Sequence, residues 1–248
     1  ETLIPFQASS DNGDKNIEHV YKSVTIAGGG SSAIAGISGS TALKLRTNQS
    51  SNTITLNVNS GYTVTRVSIE AKSNNKGEGA TIDLTSTTVD GGSNIMTSNT
   101  TFPISTADAV TYDTDGTTIN AKNNIVFTFD NSNITDETNK KNRQILATIK
   151  VWYKTPVENA IAECKTYETS SAFATAIDAE SFASVGEVYA FHSAWQIAQA
   201  KASGSTDYSK AIMNHSFELH NTNGWTIYGD AATSAADDND KYGVVEYG

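Results

Sequence analysis

The chain has 248 residues with a formal net charge of -10 at pH 7, and is 38% hydrophobic but only 18% charged. Low hydrophobicity without high charge excludes disorder throughout. The acidic balance disfavours non-specific nucleic-acid binding, because phosphates need a basic surface. The missing share goes to Thr, Ser, Asn and Gly, which suit strands, turns and wet surfaces. No apolar run approaches the roughly 20 residues that a membrane-spanning helix needs. Glu1 to Phe6 do not read as a signal peptide, so a leader is either already removed or lies outside this stretch.

Residues 1–154 read as an antiparallel β-sandwich of the jelly-roll type. Val20, Val24 and Ile26 alternate with polar neighbours. Leu43 and Leu45 share one face of the next run, and Ile54, Leu56 and Val58 do so in the run after it. From Tyr62 to Lys72 the apolar phase starts on Tyr62 and Val64, then moves to Val67, Ile69 and Ala71. A slip of one residue is the mark of a β-bulge. Ile82 and Leu84 mark another strand, and Ile125, Phe127 and Phe129 a further one. The last runs from Gln144 to Tyr153, with Ile145, Ala147, Ile149, Val151 and Tyr153 in phase. Clusters at Ser73–Gly77, Asp90–Asn94 and Asp113–Gly116 read as turns. About eight short strands without interleaved helices indicate a sandwich or jelly roll.

Composition changes near Thr155 and Pro156, and so does charge. Residues 1–154 carry 13 Lys+Arg and 14 Asp+Glu, a net of -1, while residues 155–248 carry 4 and 13, a net of -9. Residues 155–204 are rich in Ala and read as helical. Val157, Ala160, Ile161, Cys164 and Tyr167 fall at helical spacing behind Pro156, with Thr155 as N-cap. A second helix is expected over Ser171–Glu180 and a third over about Ser184–Ser203, with Gly204 as its stop. Residues 205–248 return to turns and short strands, and end in an acidic run at Asp237–Asp240.

Several features suggest chemistry that their context does not support. Gly28, Gly30 and Ala33 match the dinucleotide-binding spacing, but no helix fits after them and no acid stands near position 48. They read as a loop. Ser10–Glu18 offers oxygen ligands, but their spacing departs from the EF-hand loop. Cys164 is the single cysteine, which excludes an internal disulfide. Its place on the apolar stripe predicts a buried, inert thiol. His215 and His220 would point to opposite faces of a strand and do not pair as ligands.

The aromatic residues remain. Sugars present apolar C–H faces rimmed by hydroxyls, so their sites pair aromatic rings with polar side chains. Tyr62 and Tyr112 adjoin turns and are candidate ligand platforms. Trp152 is a third, out of phase with the apolar face of its strand. It faces solvent or the helices that follow, and the short junction favours the helices. Trp195 reads as helix core.

The stretch Ile212–Glu218 followed by Asn223–Thr226 resembles the opening of jelly-roll carbohydrate-binding modules. Those modules start with an Asn-x-Ser/Asp-Phe-Glu strand and a Gly-Trp soon after. Asn214, Ser216, Phe217, Glu218, Gly224 and Trp225 stand in those places. The resemblance implies that Phe217 and Trp225 build core and that Glu218 is a candidate ligand for a structural calcium. The Ala-rich helices and Thr206–Tyr208 also resemble linker regions of exported glycan-handling proteins of gut-type Bacteroidetes. A jelly roll needs on the order of 100 residues, so residues 205–248 read as the start of an incomplete second module, or as a stretch that pairs with another unit.

The expected function is a non-catalytic glycan-binding or spacer module of a larger secreted or surface protein. Its expected partners are a polysaccharide and the other domains of a longer parent chain. The alternatives are a purely structural or adhesive surface protein, and an accessory region of a polysaccharide lyase or glycoside hydrolase.

Overall fold

A computed structural model describes the backbone at residues 4–5, 19–20, 23–28, 34–36, 43–46, 52–73, 81–132 and 144–204. The chain divides into two compact units at Thr155 and Pro156, where the composition changes.

The first unit is built of antiparallel strands. In chain order they are β1 (Ile4–Pro5), β2 (His19–Val20), β3 (Val24–Gly28), β4 (Ile34–Gly36), β5 (Leu43–Arg46) and β6 (Thr53–Val58). There follow β7 (Thr63–Ser73), β8 (Ile82–Val89), β9 (Thr100–Phe102), β10 (Val110–Asp113), β11 (Asn124–Asp130) and β12 (Gln144–Lys154). The first sheet runs β10-β7-β12-β5-β4, with β1 also paired to β12, and the second runs β2-β3-β6-β11-β8-β9. Within them, β5-β12-β7-β10 and β6-β11-β8-β9 are the two four-stranded halves of a jelly roll. The expected fold class is therefore observed, and it follows from strand order alone.

The alternation read from the sequence becomes the core. Val67, Ile69, Ala71, Ile145, Ala147, Ile149 and Val151 of the first sheet are fully buried. They share one cluster with Val24, Ile26, Ile54, Leu56, Ile82, Leu84, Ile125, Phe127 and Phe129 of the second. The phase slip in β7 is a real irregularity. Arg66 pairs with Trp152, but the next partner of β12, Tyr153, faces Val64, so Thr65 is the extra residue. Its hydroxyl donates to the carbonyl of Trp152 at 3.3 Å. The second sheet repeats the device. Thr85 is skipped between β8 and β11, and its hydroxyl donates to the carbonyl of Thr128 at 3.1 Å. In both places a threonine hydroxyl meets a carbonyl at the disrupted step of the ladder.

Some strands differ from the sequence reading. β4 follows the glycine-rich stretch where a loop was expected, and a strand there confirms that no helix follows those glycines. β1, β9 and β10 are two to four residues long, too short for alternation to reveal. The turn expected at Asp90 is present. Asp90 and Gly91 both have positive φ, +50° and +73°, and the Gly92 N–H donates to the Val89 carbonyl at 2.8 Å. That is the backbone of a type I′ turn, which Asp-Gly tolerates best. The Asp90 carboxylate then accepts from the backbone N–H groups of Lys122, Asn123 and Asn124 at 2.8–2.9 Å. It thereby fastens the β8–β9 loop to the entry of β11. Burial by itself would raise the Asp90 carboxyl, but these N–H donors and the Lys122 charge prevail and hold it below its usual 3.8.

The second unit contains α1 (Pro156–Tyr167), α2 (Ser171–Ala179) and α3 (Val185–Ala202), close to the expected helices. The Ser170 side chain caps α2 by accepting from the Phe173 N–H. Ser184 caps α3 through the Glu187 N–H, while the Glu187 carboxylate accepts from the Ala183 N–H at 2.7 Å. This is a capping box shifted by one residue. Gly204 ends α3 at φ +72°. Ala160, Cys164, Phe173, Ile177, Val188 and Tyr189 form the core of this unit. Burial, with the neighbouring Glu163 charge, pushes the Cys164 thiol up to about 12, so it is inert as expected.

His192 is buried in this unit at 2% exposure. Its ring centroid lies 5.2 Å from that of Phe173, and neither ring nitrogen has a hydrogen-bond partner among the described residues. Burial lowers its pKa from the usual 6.5, and the Glu168 charge offsets this only in part. A proton therefore binds the unfolded chain more readily than the folded one. The contribution to stability is whole above pH 6.5 and is lost as pH falls through the lower folded value. We expect the helical far-UV signal of the full chain to melt at lower temperature as pH falls through this window. His192→Leu should lose less on the same descent, and equal pH profiles for the two proteins would contradict the assignment.

Candidate functional site

The outward face of the first sheet carries the polar half of each alternation. Along β12 the outward positions include Thr148, Lys150, Trp152 and Lys154, since Ile149, Val151 and Tyr153 point into the core. Across the ladder, Trp152 faces Arg66, Lys150 faces Ser68 and Thr148 faces Glu70. On the other side of β7, Asp113 of β10 also faces Ser68. Asp113 thus lies diagonally across from Arg66, within side-chain reach.

Arg66 joins the three strands. Its Nε and Nη2 donate to the two Asp113 carboxylate oxygens, each at 2.9 Å. Nη1 lies 3.2 Å from Asp115 Oδ1. Its Cζ sits 4.1 Å from the centroid of the Trp152 ring, a cation–π contact. Two parallel N–H···O bonds fix the plane of the guanidinium as well as its position. The Asp113 carboxylate also accepts from the Asp115 N–H at 2.9 Å. Just beyond it, the Thr114 hydroxyl accepts from the Val67 N–H at 2.9 Å, and the Thr114 N–H donates to the Val67 carbonyl at 3.0 Å. The β10 turn is therefore tied to β7 by backbone and side chain together. Burial alone would raise the Asp113 carboxyl, but the bonds from Arg66 and the Asp115 N–H, with the Arg66 charge and a Ser68 hydroxyl, hold it below 3.8.

The three expected platform residues do not share a face. Trp152 is partly exposed on the outward face, beside Arg66. Tyr62 and Tyr112 pack against the core of the sandwich. The Tyr62 ring meets Tyr153 edge-on at 5.5 Å, and the Tyr112 ring meets Phe127 edge-on at 6.5 Å. Burial raises the Tyr112 phenol above its usual 10, with the Thr87 hydroxyl acting against this and the Asp113 charge adding to it. Both tyrosines remain partly exposed. Glu218, the calcium candidate, lies outside the described residues, as does the whole Asn214–Trp225 resemblance. Among the described residues no three His, Cys, Asp or Glu side chains gather as metal ligands, and no helix is long and apolar enough to cross a membrane.

Arg66 and Asp113 were not legible as a pair. They stand 47 residues apart, and Asp113 reads locally as the first residue of a turn. The available signal was the alternation of β7, in which Val67, Ile69 and Ala71 inward place Arg66 outward.

Asp113→Asn should destabilise the first unit by about 1 kcal/mol at neutral pH, the scale of a partly exposed charge pair with good geometry. Because the folded carboxyl lies below 3.8, this stabilisation is present above that value and is lost as pH falls through the lower folded one. Denaturant melts of the two proteins should therefore converge in acid. A gap that persists unchanged there would show that the charge is not what Asp113 contributes.

No family model matches the sequence, and no curated protein matches it. Among solved structures the chain is similar to "CBM29_1, A Family 29 Carbohydrate Binding Module from Piromyces equi", at 12% identity and a TM-score of 0.28, with 60% of this chain and 89% of that chain covered. A likeness at that score carries neither fold nor function to this chain. The jelly roll stands on its own strand order.

Proposed function

We propose that the chain is a non-catalytic glycan-binding module of a larger secreted or surface protein of bacterial origin, and that it binds through the outward face around Trp152. The observation that carries this reading is the Trp152–Arg66–Asp113 arrangement. An indole on an outward sheet face is held beside a guanidinium whose plane is fixed by a carboxylate. Thr148 and Lys150 lie within two ladder steps along β12 and offer a hydroxyl and an ammonium group. A sugar needs that combination, an apolar surface for its C–H face and oriented polar groups for its hydroxyls. Holding the ring in advance also reduces the ordering cost of binding. Tyr62 and Tyr112 stay candidates only for contacts at the sandwich margin, where their rings are partly exposed.

A second reading is a purely structural or spacer role, and one observation favours it. The guanidinium already occupies the space over the Trp152 ring. The role of an accessory region in a polysaccharide lyase or glycoside hydrolase is compatible with either reading. A glycan array probed with the full chain separates the first two. Trp152→Ala should weaken binding at least tenfold, about 1.4 kcal/mol, while Trp152→Phe retains most of it and both variants keep a cooperative melt. If the unmutated chain binds no glycan, the structural reading replaces this one.

A further inference from the structure

We infer that the ligand of this face is an acidic polysaccharide, bearing carboxylates or sulfates, held by Lys150 and Lys154 on either side of Trp152. The inference rests on the glycan reading above and adds the class of sugar. Residues 150, 152 and 154 are successive outward positions of one strand, so at about 3.3 Å per residue each lysine stands roughly 7 Å from the tryptophan. Their register partners on β7 are Ser68 and Thr63, neither of them acidic.

The charges nearby are otherwise committed. Arg66 is engaged by Asp113 and Asp115, and Lys72 donates to the Ala107 carbonyl at 3.3 Å. Lys150 and Lys154 have no ion-pair partner among the described residues. Glu70, on the same face of β7, has no ion pair among the described residues. It faces Thr148, one step beyond Lys150. In a chain of net charge -10, this face is locally balanced, Arg66, Lys150 and Lys154 standing against Asp113, Asp115 and Glu70, and its two lysines without an ion pair among the described residues flank the one ring. Screening confines electrostatic reach to about 8 Å at physiological salt, so an anionic group bound against Lys150 and Lys154 senses them more than the acids elsewhere in the chain.

The aromatic count argues for a sugar over a nucleic acid. Single strands are held by stacking successive bases on several rings, and duplexes by many phosphate contacts. Here one ring stands between two ammonium groups. A uronate or sulfated sugar suits that spacing, with its ring beside the indole and its anionic groups reaching the lysines.

The test is equilibrium binding of the full chain to polygalacturonate, a sulfated polysaccharide, a neutral glucan, a neutral mannan and an oligo-dT strand, at low salt and at about 0.15 M salt. The unmutated chain is compared with a Lys150→Gln, Lys154→Gln variant, whose substitutions lie at partly exposed positions outside the core. We expect an acidic glycan to bind best, to weaken with salt, and to lose roughly tenfold in affinity in the variant. If the neutral glycans bind as tightly and the variant behaves like the parent, the acidic specificity is wrong while the glycan reading stands. If no glycan binds, the glycan reading falls and this inference with it. Tighter binding of oligo-dT than of any glycan would overturn both.

Discussion

The ladder between β7 and β12 is the constraint on which the rest of the first unit depends. Each strand is 11 residues long, and the pairing runs from Ile145 opposite Ser73 to Lys154 opposite Thr63. One inward row of this ladder, Val67, Ile69, Ala71, Ile145, Ala147, Ile149 and Val151, is the first sheet's half of the core. Side chains alternate with period two, so a slip of one residue would exchange core and surface along a whole strand. The extra residue at Thr65 makes such a slip once, deliberately and locally. It returns Val64 to the core and leaves Arg66 on the outward side, opposite Trp152. Arg66 and Trp152 stand in the regular register beyond the bulge, which re-phases Val64 and Thr63.

The same ladder sorts the aromatic residues by task. Tyr153 points inward, where Tyr62 packs edge-on against it, and its neighbour Trp152 points outward. On β10, Tyr112 turns in toward Phe127 while Asp113 turns out toward Arg66. Adjacent residues on a strand thus serve the core and the outward face in turn. The inner rings stabilise the sandwich, each aromatic pair adding about 1 kcal/mol beyond the area it buries. The outward ring contributes little to the core and packs against the Arg66 guanidinium. The second unit has its own core, in which Phe173 gathers Phe191, His192 and Trp195 around it.

Much of the fold was legible in the sequence because the burial signal is local. The in-phase residues of β6, β8, β11 and β12 are the ones that are buried, Val58 at the end of β6 only in part, and Ser184, Pro156 and Gly204 mark helix ends where capping chemistry requires. The bulge was legible as a broken phase. β1, β4, β9 and β10 were not, because two to four residues cannot display a period. The phase of Trp152 set it apart from the core face of its strand but did not show what covers it; the ring packs against the Arg66 guanidinium. Tyr62 and Tyr112 adjoin turns, and chain position beside a turn does not say which way a ring points. Arg66 with Asp113 is a long-range pairing set by β10 lying next to β7, and no local pattern encodes that neighbour.

The central claim is that the outward face of β7 and β12 binds a sugar around Trp152. Amide and indole NMR shifts of the full chain, followed while an acidic oligosaccharide is added, test it most directly. The account predicts shifts concentrated at Arg66, Ser68, Lys150, Trp152 and Lys154, with Tyr62 and Tyr112 affected less. Shifts centred instead on the β8–β9 and β10–β11 turns, leaving the Trp152 indole unmoved, would contradict it.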